Sequence, residues 1–195
     1  MSTSSSTTQT TGANPAVSLV LRTSRLELVA ATLSLIETEL AGAAQLARSL
    51  DAESGAWPPP LNDENSLRWT AEKLRAHPEH AGFYIWYVVL TENHARRLVG
   101  LVAFKGPPDE NGSVETGYSV VEEFQRRGIG TEATRALIEW AFQHPQIQEV
   151  TAETYPELHA SLRVMQRCGM NSYGEGSEPR TVRYGIRKKQ FQIQL

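Results

Sequence analysis

At 195 residues, 40% of them hydrophobic and 21% charged, the chain has the size and balance of one globular domain with a well-buried core. A net charge of −3 and a pI near 6.0 give no electrostatic reason to expect nucleic acid or an anionic membrane as partner. The single cysteine, Cys168, excludes an internal disulfide framework and agrees with a reducing compartment.

Residues 1–16 are Ser/Thr-rich and are expected to form a disordered tail, with residues 17–195 as a single domain. The tail has neither the charged nor the apolar region of a secretory signal. No apolar run approaches the roughly 20 residues needed to cross a bilayer. A cytoplasmic protein is expected.

Val17 to Leu28 reads as a first strand, and Thr32 to Leu50 as a helix with Leu33, Ile36, Leu40, Ala43 and Ala47 on one face. Trp57-Pro58-Pro59-Pro60 must break any helix, because proline lacks the amide donor and fixes φ. A second amphipathic helix is predicted from about Asn62 to Ala76, stopped by Pro78. Strands follow over Phe83–Leu90, Leu98–Lys105 and Val114–Val121, joined by short polar linkers that suit antiparallel hairpins. After Gly130 the apolar spacing becomes helical through Ala133, Ala136, Leu137, Trp140 and Ala141, until Pro145. Glu149–Thr154 reads as a strand, Ala160–Cys168 as a short helix closed by Gly169, and Val182–Ile186 and Phe191–Ile193 as final strands. The sum is an α/β (α+β) chain: a mixed, mostly antiparallel twisted sheet of about six to seven strands flanked by about four helices.

Of the five histidines only His77 and His80 have even a loose ligand spacing, and no cysteine or second pair completes a site, so no metal is expected. The basic run Arg187-Lys188-Lys189 reads as a solvated strand end.

The sharpest local feature is Gln125-Arg126-Arg127-Gly128-Ile129-Gly130-Thr131, between a strand and an amphipathic helix. A strand that enters a helix through glycines leaves backbone N–H groups unpaired and convergent. The helix dipole and two arginines add positive charge, which suits a pyrophosphate. Alone the pattern is weak: a Gln/Arg-x-x-Gly-x-Gly/Ala string arises about 0.2 times by chance in a chain this long, and on the motif alone a plain glycine-rich connection with two solvated arginines is the favoured reading. A P-loop lacks its Gly-Lys-Ser/Thr, and a dinucleotide fingerprint lacks its third glycine and its βαβ context.

Context adds to the turn. Leu98 to Phe104, the hairpin Gly106-Pro107-Pro108-Asp109 into Gly112–Tyr118, the turn Gln125–Thr131 with the helix behind it, and Ser161-Leu162-Arg163-Val164-Met165 followed by Gly169-Met170 occur in one order. Together they resemble the GCN5-related N-acetyltransferase (GNAT) family, and within it the RimJ/RimL-like branch, over about Leu19 to Ile186.

The resemblance implies a GNAT-like fold and transfer of an acetyl group from acetyl-CoA to a primary amine, a protein N-terminus or a small molecule, by direct attack. It implies that two strands splay to seat the pantetheine arm, with Val120 and Val121 offering backbone groups to it. Gln125, Arg126, Arg127, Gly128, Ile129, Gly130 and Thr131 would hold the phosphates. An N–H near Val120 would polarise the acetyl carbonyl. Glu115 is the candidate base, on the strand face shared with Gly117 and Ser119; an ordinary strand carboxylate is the competing reading.

Relatives commonly carry a tyrosine that protonates the leaving thiolate where this chain has Met165, and an asparagine where it has Leu158. Ser161 is the hydroxyl that remains, although serine also suits a helix start. His159 is a weak substitute for the asparagine. Cys168 reads as a packing residue, since it and His159 fall on opposite sides of a helix. Trp57, Trp69, Tyr84 and Trp86 are candidates to line the acceptor site, with core packing the simpler reading for Tyr84 and Trp86. The alternative function is an acyl-CoA-binding sensor or interaction domain with little or no transfer. The resemblance leaves the acceptor unnamed and allows a monomer or homodimer.

Overall fold

The computed structural model describes residues 19–60 and 62–193. The Ser/Thr-rich tail lies outside the described residues, as do Val17 and Ser18 of the first expected strand. The rest of that strand is a hairpin, β1 (Val20–Arg22) and β2 (Leu26–Ala30), turned through Thr23 to Arg25. The expected first helix is two: α1 (Leu33–Ala41) and α2 (Ala43–Ser49), separated at Gly42, whose φ of +139° interrupts the helical backbone. The threonine before α1, Thr32, caps it by accepting from the Leu35 N–H at 3.3 Å.

A two-residue strand, β3 (Glu53–Ser54), leads into the proline segment, and α3 (Glu64–Ala76) follows. Asp63 caps α3 through the Ser66 N–H at 2.8 Å, while Lys73 and Arg75 sit in its last turn, the signs a helix dipole favours. Then come β4 (Ile85–Glu92), β5 (Ala95–Phe104) and β6 (Ser113–Val120). The β4–β5 turn holds Asn93 and His94 both at positive φ, the handedness that matches strand twist. α4 (Ile129–Gln143), β7 (Glu149–Thr154), α5 (His159–Arg167), β8 (Asn171–Glu175), β9 (Val182–Arg187) and α6 (Lys188–Ile193) complete the chain.

The sheet runs β1-β2-β4-β5-β6-β7-β9-β8, with β3 beside β5. It is antiparallel except at β3–β5 and β6–β7. Nine strands and six α-helices among the described residues exceed the expected counts. The fold class stands. Phe191–Ile193 is helical rather than a strand: Gln190 caps α6 at the Arg187 N–H, and Phe191 is buried against Phe142. Three residues are too few for a period to choose between helix and strand. The edge strand β8 gave no pattern because its five residues are all exposed.

Each face of the sheet carries its own core. Leu28, Trp86, Val88 and Val102 pack with Leu137, Ile138 and Trp140 of α4. Tyr87, Val89 and Leu98 pack with Ile36, Leu46, Leu67 and Leu74 of α1 to α3 on the other side. Successive β4 residues therefore feed opposite cores, which explains why this strand is continuously apolar rather than alternating. No helix among the described residues is long and apolar enough to cross a membrane.

Candidate functional site

The site begins where two parallel strands stop pairing. β6 and β7 are joined at Ser113–Glu149, Val114–Val150 and Glu115–Thr151, yet β6 runs on to Val120 and β7 to Thr154. Beyond Glu115 the strands diverge into a V.

The ladder on the opposite edge fixes which β6 groups face that V. Lys105 N–H donates to the Glu115 carbonyl and Val121 N–H to the Val99 carbonyl, each at 2.9 Å. Odd-numbered β6 residues thus spend their backbone groups on β5. By the alternation of an antiparallel ladder, Tyr118 and Val120 turn theirs the other way, into the gap. The Val120 carbonyl accepts from the Gln125 side chain at 2.9 Å, which leaves its N–H directed into the V. Val121 differs from expectation: its N–H goes to Val99, and its carbonyl accepts from Phe124 N–H at 3.0 Å. Its backbone is already used, and Tyr118 takes its place facing the V.

The glycine turn sits at the open end of the V. Gly128 is the residue before α4, left-handed at φ +80°, with no side chain capping the helix. The first α4 amide to reach a helical carbonyl is that of Glu132, bonded to Gly128 O at 3.0 Å. The N–H groups of Ile129, Gly130 and Thr131 are therefore the unpaired amides of a helix start, beside the positive end of its dipole. Gly130 lies where a β-carbon would meet the Val120 and Val164 methyls at 3.7 Å, so the turn, β6 and α5 converge there.

The two arginines separate. Arg127 pairs with Glu92 at 2.7 Å, and its guanidinium lies 5.2 Å from the Phe124 ring centre. Arg126, at φ +60°, has no acidic partner among the described residues. It is the arginine whose charge is uncompensated. Sequence reasoning missed the brace beneath: Arg25, in the β1–β2 turn, donates to Glu132 at 3.0 and 2.7 Å and to the Arg127 carbonyl at 3.2 Å. Thr23 Oγ1 donates to the same Glu132 at 2.6 Å. Glu132 is held below the ordinary carboxylate range; burial alone would raise it, and the Thr23 and Arg25 hydrogen bonds with the Arg25 charge outweigh that. No local signal links positions 25 and 132.

Glu115 is the last β6 residue paired to β7, at the vertex of the V. Its carboxylate is 19% exposed and forms an ion pair with Lys105. The register places it with Gly117 and Ser119 on the face of Leu101 and Ala103, on the side of α1 to α3. Val120 lies five residues further along β6, about 17 Å at the usual strand rise. One glutamate side chain does not span that distance.

Ser161 is in the first turn of α5, half-buried. Tyr118 OH lies 2.9 Å from the Ser161 carbonyl and 3.0 Å from its Oγ, so a β6 phenol meets the α5 hydroxyl. Burial pushes the Tyr118 phenol up to about 12. Met165 is buried and Leu158 exposed. Cys168 is buried and its thiol pushed up to about 12 by burial, as suits a packing residue.

Among the aromatic candidates Trp86 is fully buried, donating to the Gly82 carbonyl at 2.9 Å. Tyr84 is buried and meets the exposed Trp69 edge-on at 5.7 Å. Trp57, half-buried, touches both cores and donates its Nε1 to Glu39 at 2.8 Å. Glu39 is itself buried and also accepts from Asn62 at 2.8 Å and Tyr87 at 2.6 Å. Away from the V, Glu79 joins His77 and His80 at the end of α3, their ligand atoms within 4.8 Å of one another.

Comparison with known proteins follows the same outline. Residues 25–171 match the family described as the acetyltransferase (GNAT) domain. A Bacillus subtilis protein described as an uncharacterized N-acetyltransferase, YjdG, is 28% identical over 154 residues, covering 77% of this chain and 89% of that one. The fold is similar to the ribosomal-protein-S5-alanine acetyltransferase of Vibrio fischeri, with a TM-score of 0.64 at 17% identity over 89% of this chain and 98% of that one. It is similar also to the ribosomal L7/L12 α-N-protein acetyltransferase RimL in complex with coenzyme A, with a TM-score of 0.58 at 18% identity over 87% and 98% of the two chains.

Proposed function

The chain belongs to the acetyltransferase (GNAT) family, and on that premise we propose that it transfers an acetyl group from acetyl-CoA to a primary amine by direct attack. The observation that carries this reading is the V between β6 and β7, with the Val120 N–H facing it and the Ile129, Gly130 and Thr131 amides at its mouth. Those amides, with Arg126, fit a pyrophosphate. The exposed edges of Tyr118 and Val120 fit the amides of a pantetheine arm, which binds as an added strand does.

In this reading the residues of the chain divide the work. The turn and β6 edge hold the acetyl group against the amine, which turns a bimolecular encounter into a positioned one. A β6 N–H facing the V stabilises the charge that grows on the carbonyl oxygen. As the C–N bond forms and the C–S bond breaks, Glu115 takes the amine's proton. The span along β6 requires a chain of waters between the two, or a carbonyl nearer Tyr118 than Val120. Ser161 donates a hydrogen bond to the departing sulfur, and the released thiol regains its proton from solvent. The amine enters from the α1–α3 side, where Glu115 and Trp57 face.

A protein N-terminus or another weakly basic amine suits this base better than lysine, because α-amines titrate near 7.7–8.0 and lysine near 10.4. A second reading rests on Met165 and Leu158: neither can replace the hydroxyl or amide expected there, which favours a domain that binds acyl-CoA without transferring it. Isothermal titration with acetyl-CoA, followed by CoA release across peptides, polyamines and amino sugars, separates the readings. Binding with turnover supports transfer, binding without turnover on any acceptor supports the sensor, and no binding up to millimolar acetyl-CoA removes both.

A further inference from the structure

The contact between Tyr118 and Ser161 has a donor count that constrains the chemistry. A phenol has one proton. The Ser161 carbonyl can only accept, so the 2.9 Å contact requires Tyr118 to donate to it. The 3.0 Å contact between the two hydroxyl oxygens is then filled by the Ser161 proton, donated to the phenol. In this arrangement Ser161 has no proton to offer a sulfur in the V. The alternative is close at hand: the Ser161 carbonyl and Oγ lie within 0.1 Å of equal distance from the phenol oxygen. A turn of the phenol O–H moves its proton from the carbonyl to Oγ and frees the serine proton to point elsewhere.

We propose that Tyr118 is a positioning residue that sets the direction of the Ser161 hydroxyl, turning it from an internal donor into a donor to the coenzyme sulfur. The inference rests on the acetyltransferase reading and on Ser161 as the group nearest the leaving sulfur. No covalent bond changes at Tyr118. Its phenol, pushed up to about 12 by burial, keeps its proton throughout and acts through orientation alone. Met165, buried on the same helix, brings no hydroxyl of its own, so the direction of the Ser161 hydroxyl is what the sulfur depends on.

The test compares binding of CoA and desulfo-CoA by titration calorimetry near pH 9.5, where a substantial fraction of an alkyl thiol is thiolate. The wild type is expected to prefer CoA by about tenfold, the scale of one hydrogen bond to a charged group. Tyr118→Phe, Ser161→Ala and the double variant should each prefer it by less than about twofold, with the double no worse than Ser161→Ala, because Tyr118 acts only through Ser161. Desulfo-CoA affinity, unchanged in all four, shows that the V remains folded. A tenfold preference kept in Tyr118→Phe, or losses that add in the double variant, overturns the proposal. A wild type without preference overturns it together with the Ser161 assignment, whereas a wild type that binds neither ligand overturns the acetyltransferase reading itself.

Discussion

The Gln125 side-chain amide donates to the Val120 main-chain carbonyl at 2.9 Å, tying the start of the glycine turn to the end of the strand that lines the V. The glutamine of the motif thus holds its own strand through its side-chain NH₂. It occupies the Val120 carbonyl and leaves the neighbouring N–H directed outward. Gln125→Ala should weaken acetyl-CoA binding by about tenfold, the value of one hydrogen bond, with little change in melting temperature because the site is exposed. Gln125→Glu should be worse, since a carboxylate facing a carbonyl repels it. Calorimetric titration of both variants checks the order.

Gly128 tests the turn itself. At φ +80° any side chain costs about 1–2 kcal/mol in backbone strain. Gly128→Ala should therefore bind acetyl-CoA somewhat more weakly, while Gly128→Asp adds an anion at the helix start and should bind at least about 100-fold more weakly. Equal affinities for the three proteins would show that the nucleotide lies elsewhere.

How much of this was legible beforehand follows from range. The turn, α4 and β7 could be read because each is set by local spacing: glycines at fixed offsets, a 3.6-residue period, an apolar run between turns. The face of Glu115 followed from strand alternation alone. What could not be read joins distant positions. The Arg25–Glu132 brace and the Tyr118–Ser161 contact span 107 and 43 residues. That Val121 spends its amide on Val99 depends on the β5–β6 register, which fixes which alternate residues face the V. The split of the first helix was visible as Gly42, but helical periodicity continued across it and hid the break.

Glu115→Gln should reduce turnover at neutral pH by about 10²–10⁴ while leaving acetyl-CoA affinity within a factor of two. The amide keeps the shape of the side chain but neither accepts a proton nor pairs with Lys105. A variant within a few-fold of wild type on the best acceptor removes Glu115 from the reaction and leaves it as a strand carboxylate balanced by lysine.

The brace under the turn has a pH signature. Glu132 has a folded-state value below the ordinary 4.5, so the folded protein binds that proton less readily than the unfolded chain. Its contribution is fully present above about pH 4.5 and fades as the pH falls through the lower folded value. Glu132→Gln should lower stability at pH 7 by about 1–2 kcal/mol, and the gap to wild type should shrink below pH 4.5. A gap that stays constant down to pH 3 would mean that the Arg25 contact contributes nothing to folding.

Glu39 carries the largest predicted effect on stability. Its buried carboxylate serves three donors at once, from Trp57, Asn62 and Tyr87, with no cation paired to it among the described residues. Glu39→Ala leaves those donors without their acceptor and opens a void beside Tyr87. A loss of about 3 kcal/mol or more is expected in chemical denaturation. Glu39→Gln, which keeps the volume and one carbonyl oxygen, should lose less, because an amide can serve two of the donors but must turn its own NH₂ toward the third. The two variants also separate packing from recognition. Because Trp57 is held by Glu39 and borders the side proposed for amine entry, Glu39→Gln should raise KM for the acceptor more than it lowers acetyl-CoA affinity. Equal changes in both would reduce Glu39 to a fold residue with no influence on the acceptor.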